Sequence, residues 1–266
     1  MFLTRKSFRK ILTMAICYAS LGSTCIIASL LLNTGGISDK FLFILGLISY
    51  LLCVLFAFWG RYAEGKGRLI ALGNKLVRKE LKPMEFINHY EMLKNSNDLV
   101  IKKPCIEVLQ LVAVAYDSLD DRQNVMATVN EMIEVASEKK KAFANLLKSA
   151  FLFDYGNTEK AELLFNENKS RNKDMLSVGL ADAILKCERA MAMGDYKTVE
   201  AYNLNLINRK FPKLDNLTKL AVNYRLGEVY KKLNENEKAV NYYRYCAEFG
   251  GETAIKKSAV LNLQNA

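Results

Sequence analysis

Two patterns of apolar residues divide the chain. From Ile11 to Leu32, 22 residues pass without a formal charge, and from Phe41 to Trp59 another 19 do so. At a rise of about 1.5 Å per residue, each run predicts a helix about 30 Å long, the thickness of a bilayer's hydrocarbon core. The second run holds thirteen Leu, Ile, Val and Phe. Each contributes about −0.3 to −0.6 kcal/mol at mid-membrane, enough to insert the run by itself. Beyond Pro83 the pattern changes to apolar positions every three or four residues with charges between them, which predicts amphipathic helices.

The first apolar run follows a basic start and is richer in Ser, Thr, Gly and Cys, so a cleaved signal peptide competes with a retained span. Its length, and a second run beginning eight residues later, favour retention. The chain then reads as an all-α protein with a basic N-terminus (1–10), a first transmembrane helix (11–32), a short outer loop (33–40) and a second transmembrane helix (41–60). Basic juxtamembrane and lead-in helices (61–100) and a helical repeat domain (101–266) follow.

The net charge of +10 could suggest a nucleic-acid partner, so its location matters. Arg5, Lys6, Arg9 and Lys10 precede the first run, Lys40 lies between the runs, and seven Lys/Arg fall in residues 61–82. The flanks hold nearly all of the excess, which reads as topology signal and attraction to anionic headgroups, with no nucleic-acid partner. By the positive-inside rule both termini face the cytosol. No other targeting signal is legible, which points to a bacterial plasma membrane. Residues 61–81 fit either an interfacial amphipathic helix or a stalk continuing from the second span.

Small residues recur three or four apart on one face of each run, at Ala15, Ala19 and Ser23 and at Gly46, Ser49, Cys53 and Ala57. Such faces let helix backbones approach closely. The two stripes are expected to pack on each other, and either could also serve homo-oligomerisation. Neither run contains an acid, a base or a histidine, so the pair reads as an anchor and not a transport path.

From Ile106 onward, breaks at Asp120-Asp121, Tyr155-Gly156-Asn157, Gly194-Asp195 and Asn234-Glu235-Asn236 recur at nearly regular intervals. The clearest unit, Leu220 to Thr253, places Leu226-Gly227, Tyr230, Ala239, Tyr243 and Cys246 at the offsets of the tetratricopeptide (TPR) pattern. Sliding it back puts small first-helix residues at Ala113, Ser149 and Cys187, spaced 36, 38 and 40 residues to Gly227. The second-helix positions are Val125 and Val129, Ala161 and Phe165, then Val199 and Asn203. This portion resembles a TPR-like α-solenoid, although its spacing exceeds the usual 34 and the pattern's Trp and Pro are missing. Thr253 to Leu263 would be a terminal capping helix.

The resemblance implies a groove, lined by first helices, that binds a protein or peptide. On the template Tyr224, Glu228 and Lys231 line its last unit, with Phe143, Leu146 and Phe153 contributed by an earlier one; the alternative for the phenylalanines is inter-repeat core. No phosphate loop, zinc-protease or EF-hand pattern occurs, and His89 is the single histidine, without a partner for metal or nucleophile chemistry. No enzyme activity and no cofactor are implied. Six scattered cysteines without a CxxC pair read as reduced thiols. The expectation is a membrane-anchored interaction scaffold. The alternative is an accessory subunit of a membrane complex, with the spans making the specific contacts.

Overall fold

A computed structural model describes residues 5–32, 37–96, 101, 104–170, 186–208 and 214–265, and every regular element among them is helical. The chain divides into two compact units, Met1–Leu69 and Ile70–Ala266. The second begins inside the segment read as juxtamembrane. Residues 1–4 of the predicted basic N-terminus and 33–36 of the predicted outer loop lie outside the described residues, whereas 37–40 are helical.

The first unit holds helix α1 (Arg5–Leu32) and most of α2 (Ile37–Gly73). No proline interrupts either helix, and the Gly35-Gly36 pair falls between them. Their contacts run antiparallel. Tyr18 stacks on Phe56 with ring centroids 5.5 Å apart, and the Ser23 and Tyr50 hydroxyls lie 2.5 Å apart. At the centre the backbones nearly touch. A Cβ added to Gly22 would lie 3.1 Å from the Gly46 carbonyl oxygen, and one added to Gly46 would lie 3.1 Å from that of Gly22. The opposite faces carry Ile16, Leu21, Ile27, Phe43, Leu47, Leu51, Val54, Leu55, Phe58 and Trp59, all exposed.

Among the described residues one helical stretch, Phe43–Lys79, is long and apolar enough to cross a membrane by length and composition; Thr13–Ala28 forms a shorter apolar helix. Only 17% of the apolar window in Phe43–Lys79 is buried inside the protein. A soluble core helix would bury far more.

In the second unit the end of α2 passes into a π-helical turn, Asn74–Lys79, and the chain reverses at Leu81. There follow α3 (Pro83–Asn95), α4 (Ile106–Asp117), α5 (Arg122–Val135), α6 (Glu138–Asp154), α7 (Thr158–Asn168) and the helical residues 186–192. The remaining helices are α8 (Tyr196–Asn208), α9 (Asn216–Lys232), α10 (Asn236–Phe249) and α11 (Ala254–Gln264). Successive helices pack as adjacent pairs, α4 with α5, α6 with α7 and α9 with α10, and α11 lies on α10.

The pairs share one turn. Each first helix ends at a residue with left-handed backbone, namely Asp120 (φ 59°), Gly156 (φ 76°), Gly194 (φ 74°) or Asn234 (φ 59°). These are the residue types that tolerate that conformation. The next N–H donates to the carbonyl five residues back, Asp121 to Tyr116, Asn157 to Leu152, Asp195 to Ala190 and Glu235 to Tyr230, at 2.8 to 3.0 Å. This is the Schellman closure, which satisfies helix-end carbonyls that would otherwise lack partners. Asp121 and Asp195 then cap the following helix by accepting the N–H groups of Asn124 and Thr198.

The small first-helix residues Ala113, Ser149, Cys187 and Gly227 are all buried. Their partners Val125 and Val129, Ala161 and Phe165, Val199 and Asn203, and Ala239 and Tyr243 are buried as well. Asn203, a polar residue at an aromatic position of the template, satisfies itself by donating to the Val199 carbonyl at 2.8 Å.

Candidate functional site

Tyr224, Glu228 and Lys231 lie on one strip of α9, and the structure brings all three to the same residue of the C-terminal helix. Asn262 Nδ2 donates to Glu228 Oε1 at 3.0 Å and approaches Tyr224 Oη at 3.4 Å. Its Oδ1 accepts from Lys231 Nζ at 2.9 Å. From the other side Tyr243 Oη donates to Glu228 Oε1 at 2.6 Å. Burial, followed by the Glu228 charge, raises the pKa of Tyr224. The strip is therefore a built polar seam between α9 and α11, with Lys231 exposed at its edge.

Phe143 is elsewhere. It is half-buried against the cluster of Ile106, Leu109, Val125, Val129 and Phe151, while Leu146 and Phe153 pack with Ala161 and Phe165. Phe143 thus packs between the α4–α5 pair and α6, whereas Leu146 and Phe153 fill the core within the α6–α7 pair; burying such large apolar area stabilises both.

A second polar constellation joins residues that lie far apart in the sequence. Arg225 of α9 reaches two acids from earlier helices, Asp154 at the end of α6 (Nη2 to Oδ1, 3.1 Å) and Glu188 (Nη2 to Oε1, 2.6 Å). Beside it Tyr155 Oη donates to Asp117 Oδ1 at 2.9 Å, and Arg122 lies over the Tyr155 ring, 4.9 Å from its centroid. Burial pushes the Asp117 carboxyl up to about 6 even though the Tyr155 hydrogen bond opposes it. Burial likewise raises Asp154 and Glu188 against the pull of Arg225, and it raises the Cys187 thiol. Arg225 thus acts as a cross-tie between first helices of three different pairs. The legible hint was that Asp117 and Asp154 end their helices, where the negative end of the helix dipole disfavours a carboxylate lacking a partner.

In the first unit Gly46, Ser49 and Ala15 are buried, Ala19, Ser23 and Cys53 are half-buried, and Ala57 is exposed. The seam also uses Gly22, which the small-residue stripe omitted. Among the described residues no group of His, Cys, Asp and Glu is arranged to hold a metal ion, and all six cysteines are free thiols. No family profile, curated protein or solved structure matches the chain.

Proposed function

We propose that this protein is a membrane-anchored interaction scaffold. In this reading α1 and α2 cross the bilayer as a hairpin, both termini lie in the cytosol of a bacterial cell, and a TPR-like stack is presented at the membrane face. The observation that carries it is the first unit's surface. Two helices pack on a glycine seam, while Phe43, Leu47, Leu51, Val54, Leu55, Phe58 and Trp59 remain exposed among the described residues. Water disfavours such a surface and lipid does not. The basic flanks, meeting anionic headgroups, support the same orientation.

The stack supports recruitment of a protein or peptide, with no catalytic step and no cofactor. Fixing even a weak site to a surface raises its effective concentration. A pull-down with the full-length protein tests this. A partner whose retention falls on Lys231→Glu or Tyr224→Ala supports groove recruitment, and retention indifferent to both argues against it.

The engagement of Tyr224, Glu228 and Lys231 by Asn262 favours a second reading. If α11 already occupies the strip, specificity would reside in the spans, and the protein would be an accessory subunit of a membrane complex or a homo-oligomer. Replacing residues 11–60 by an unrelated two-helix anchor separates the readings: recruitment survives in a scaffold and assembly is lost in a subunit.

A further inference from the structure

The turn at Leu81 repeats the geometry of the four helix-pair turns with one residue added. In those turns the left-handed residue follows the small first-helix residue by seven positions, as Gly156 follows Ser149 and Asn234 follows Gly227. Leu81 (φ 57°) follows Gly73 by eight. The closing hydrogen bond is also one residue longer, since Lys82 N–H donates to Leu76 O at 2.8 Å, six residues back. The extra residue is taken up by the π-helical turn Asn74–Lys79. Past the turn the register returns. Phe86 and Tyr90 stand five and nine residues after Leu81, as Val125 and Val129 do after Asp120, and both are buried. Gly73 has the close approach of a first-helix small residue: an added Cβ would meet the Phe86 ring and Leu111 at 2.9 Å. The end of α2 and α3 therefore form one more pair of the same design, ahead of the four legible in sequence.

The inserted residue is costly. A π turn is rare, and the left-handed backbone crowds a leucine's Cβ against the following carbonyl oxygen. Strain of this kind persists where surrounding structure fixes it, and here that structure is the far end of the chain. The Leu81 side chain is buried in the C-terminal core with Leu220, Leu226, Tyr243 and Ala259. Its carbonyl accepts the Glu252 N–H at 2.9 Å. Gly251 packs so tightly on it that an added Cβ would lie 2.5 Å from that carbonyl oxygen. Arg78 pairs with Asp215 at 3.1 Å, Asn216 donates to the Lys79 carbonyl at 2.6 Å, and Ala254 N–H donates to Ser118 O at 2.8 Å.

We propose that residues 74–82 are a conformational latch, with Leu81 as its bolt, that ties the start of the helical domain to its C-terminal pair so that the two ends open and close as one. In the closed state the inserted residue is held as a π turn and Leu81 is left-handed. On opening, the turn relaxes to an α-helix and Leu81 leaves the C-terminal core. The strike of the latch is the α10–α11 turn, where the helix covering the Tyr224 strip begins.

Hydrogen exchange on the full-length protein in detergent micelles tests the coupling. Gly251→Ala drives a methyl into the Leu81 carbonyl, and Asp215→Asn removes the charge partner of Arg78 while retaining an N-capping side chain. Each substitution is expected to speed exchange at Lys82, Glu252 and Ala254 together, by about tenfold or more, with amides of α6 and α7 unchanged. Acceleration confined to residues 250–253 in Gly251→Ala, or to residues 215–219 in Asp215→Asn, with Lys82 unmoved, overturns the latch.

Discussion

Gly227 and Tyr243 meet across the α9–α10 interface so closely that a Cβ on the glycine would lie 2.6 to 3.1 Å from the tyrosine ring. The ring is 1% exposed, and its hydroxyl is tied to Glu228. A methyl there must displace the ring or part the helices. Alanine ordinarily favours a helix over glycine by about 1 kcal/mol. Overpacking costs about 1–3 kcal/mol, so Gly227→Ala should be destabilising on balance. Urea unfolding followed by circular dichroism measures it, and a rise in the midpoint would show that the close approach is not enforced.

The same interface shows what was legible in the sequence. A small residue, a left-handed turn residue seven positions on, and two further buried positions define each pair. Gly156, Gly194 and Asn234 announce that turn by residue type. The spacing of 36, 38 and 40 residues was readable for the same reason. Leu81 was not readable, because nothing in a leucine signals a left-handed backbone, and the inserted π residue breaks the register that would have linked Gly73 to Phe86. Arg225, Asp154 and Glu188 were missed for a different reason: their pairing joins residues as much as 71 positions apart. The strip of Tyr224, Glu228 and Lys231 was legible as a face of α9, but the asparagine that meets it lies on a helix read only as a cap.

The α1–α2 seam predicts a disulfide. A Cβ at Gly22 would stand 3.3 Å from the Ser49 Cβ, close to the separation that a disulfide requires. In a background lacking the native cysteines, Gly22→Cys with Ser49→Cys should oxidise within one chain, giving a shifted monomer band on a non-reducing gel. A predominantly dimeric product would place this face between copies instead.

Asp117, Asp154 and Glu188 set the response to acid. Burial holds the Asp117 carboxyl near 6 in the fold, against 3.8 when unburied, and the other two are raised as well. The folded state therefore binds more protons than the unfolded state between these limits. The penalty of burying the charge is present above about 6 and is relieved as pH falls towards 3.8. Thermal unfolding should show a higher Tm near pH 5.5 than near pH 7.5. Asp117→Asn, which can still accept from Tyr155, should flatten that slope. An unchanged slope would assign the pH response to other groups.

Asn262 anchors α11 to the strip with one side chain. Its replacement by alanine leaves Lys231 and Glu228 without that partner and should cost about 1–3 kcal/mol of stability, read by urea unfolding. A change within error would mean that solvent replaces the asparagine at no cost, leaving the strip open to an external ligand.

The most direct test of the anchored-scaffold reading is topology. Single cysteines at Ser7, Ser38 and Ser258, in a chain lacking the native cysteines, are challenged in intact cells with a membrane-impermeant maleimide. Labelling at Ser38 alone, with Ser7 and Ser258 reacting only after lysis, is the predicted result. Labelling of Ser258 in intact cells would place the helical stack outside and contradict the account.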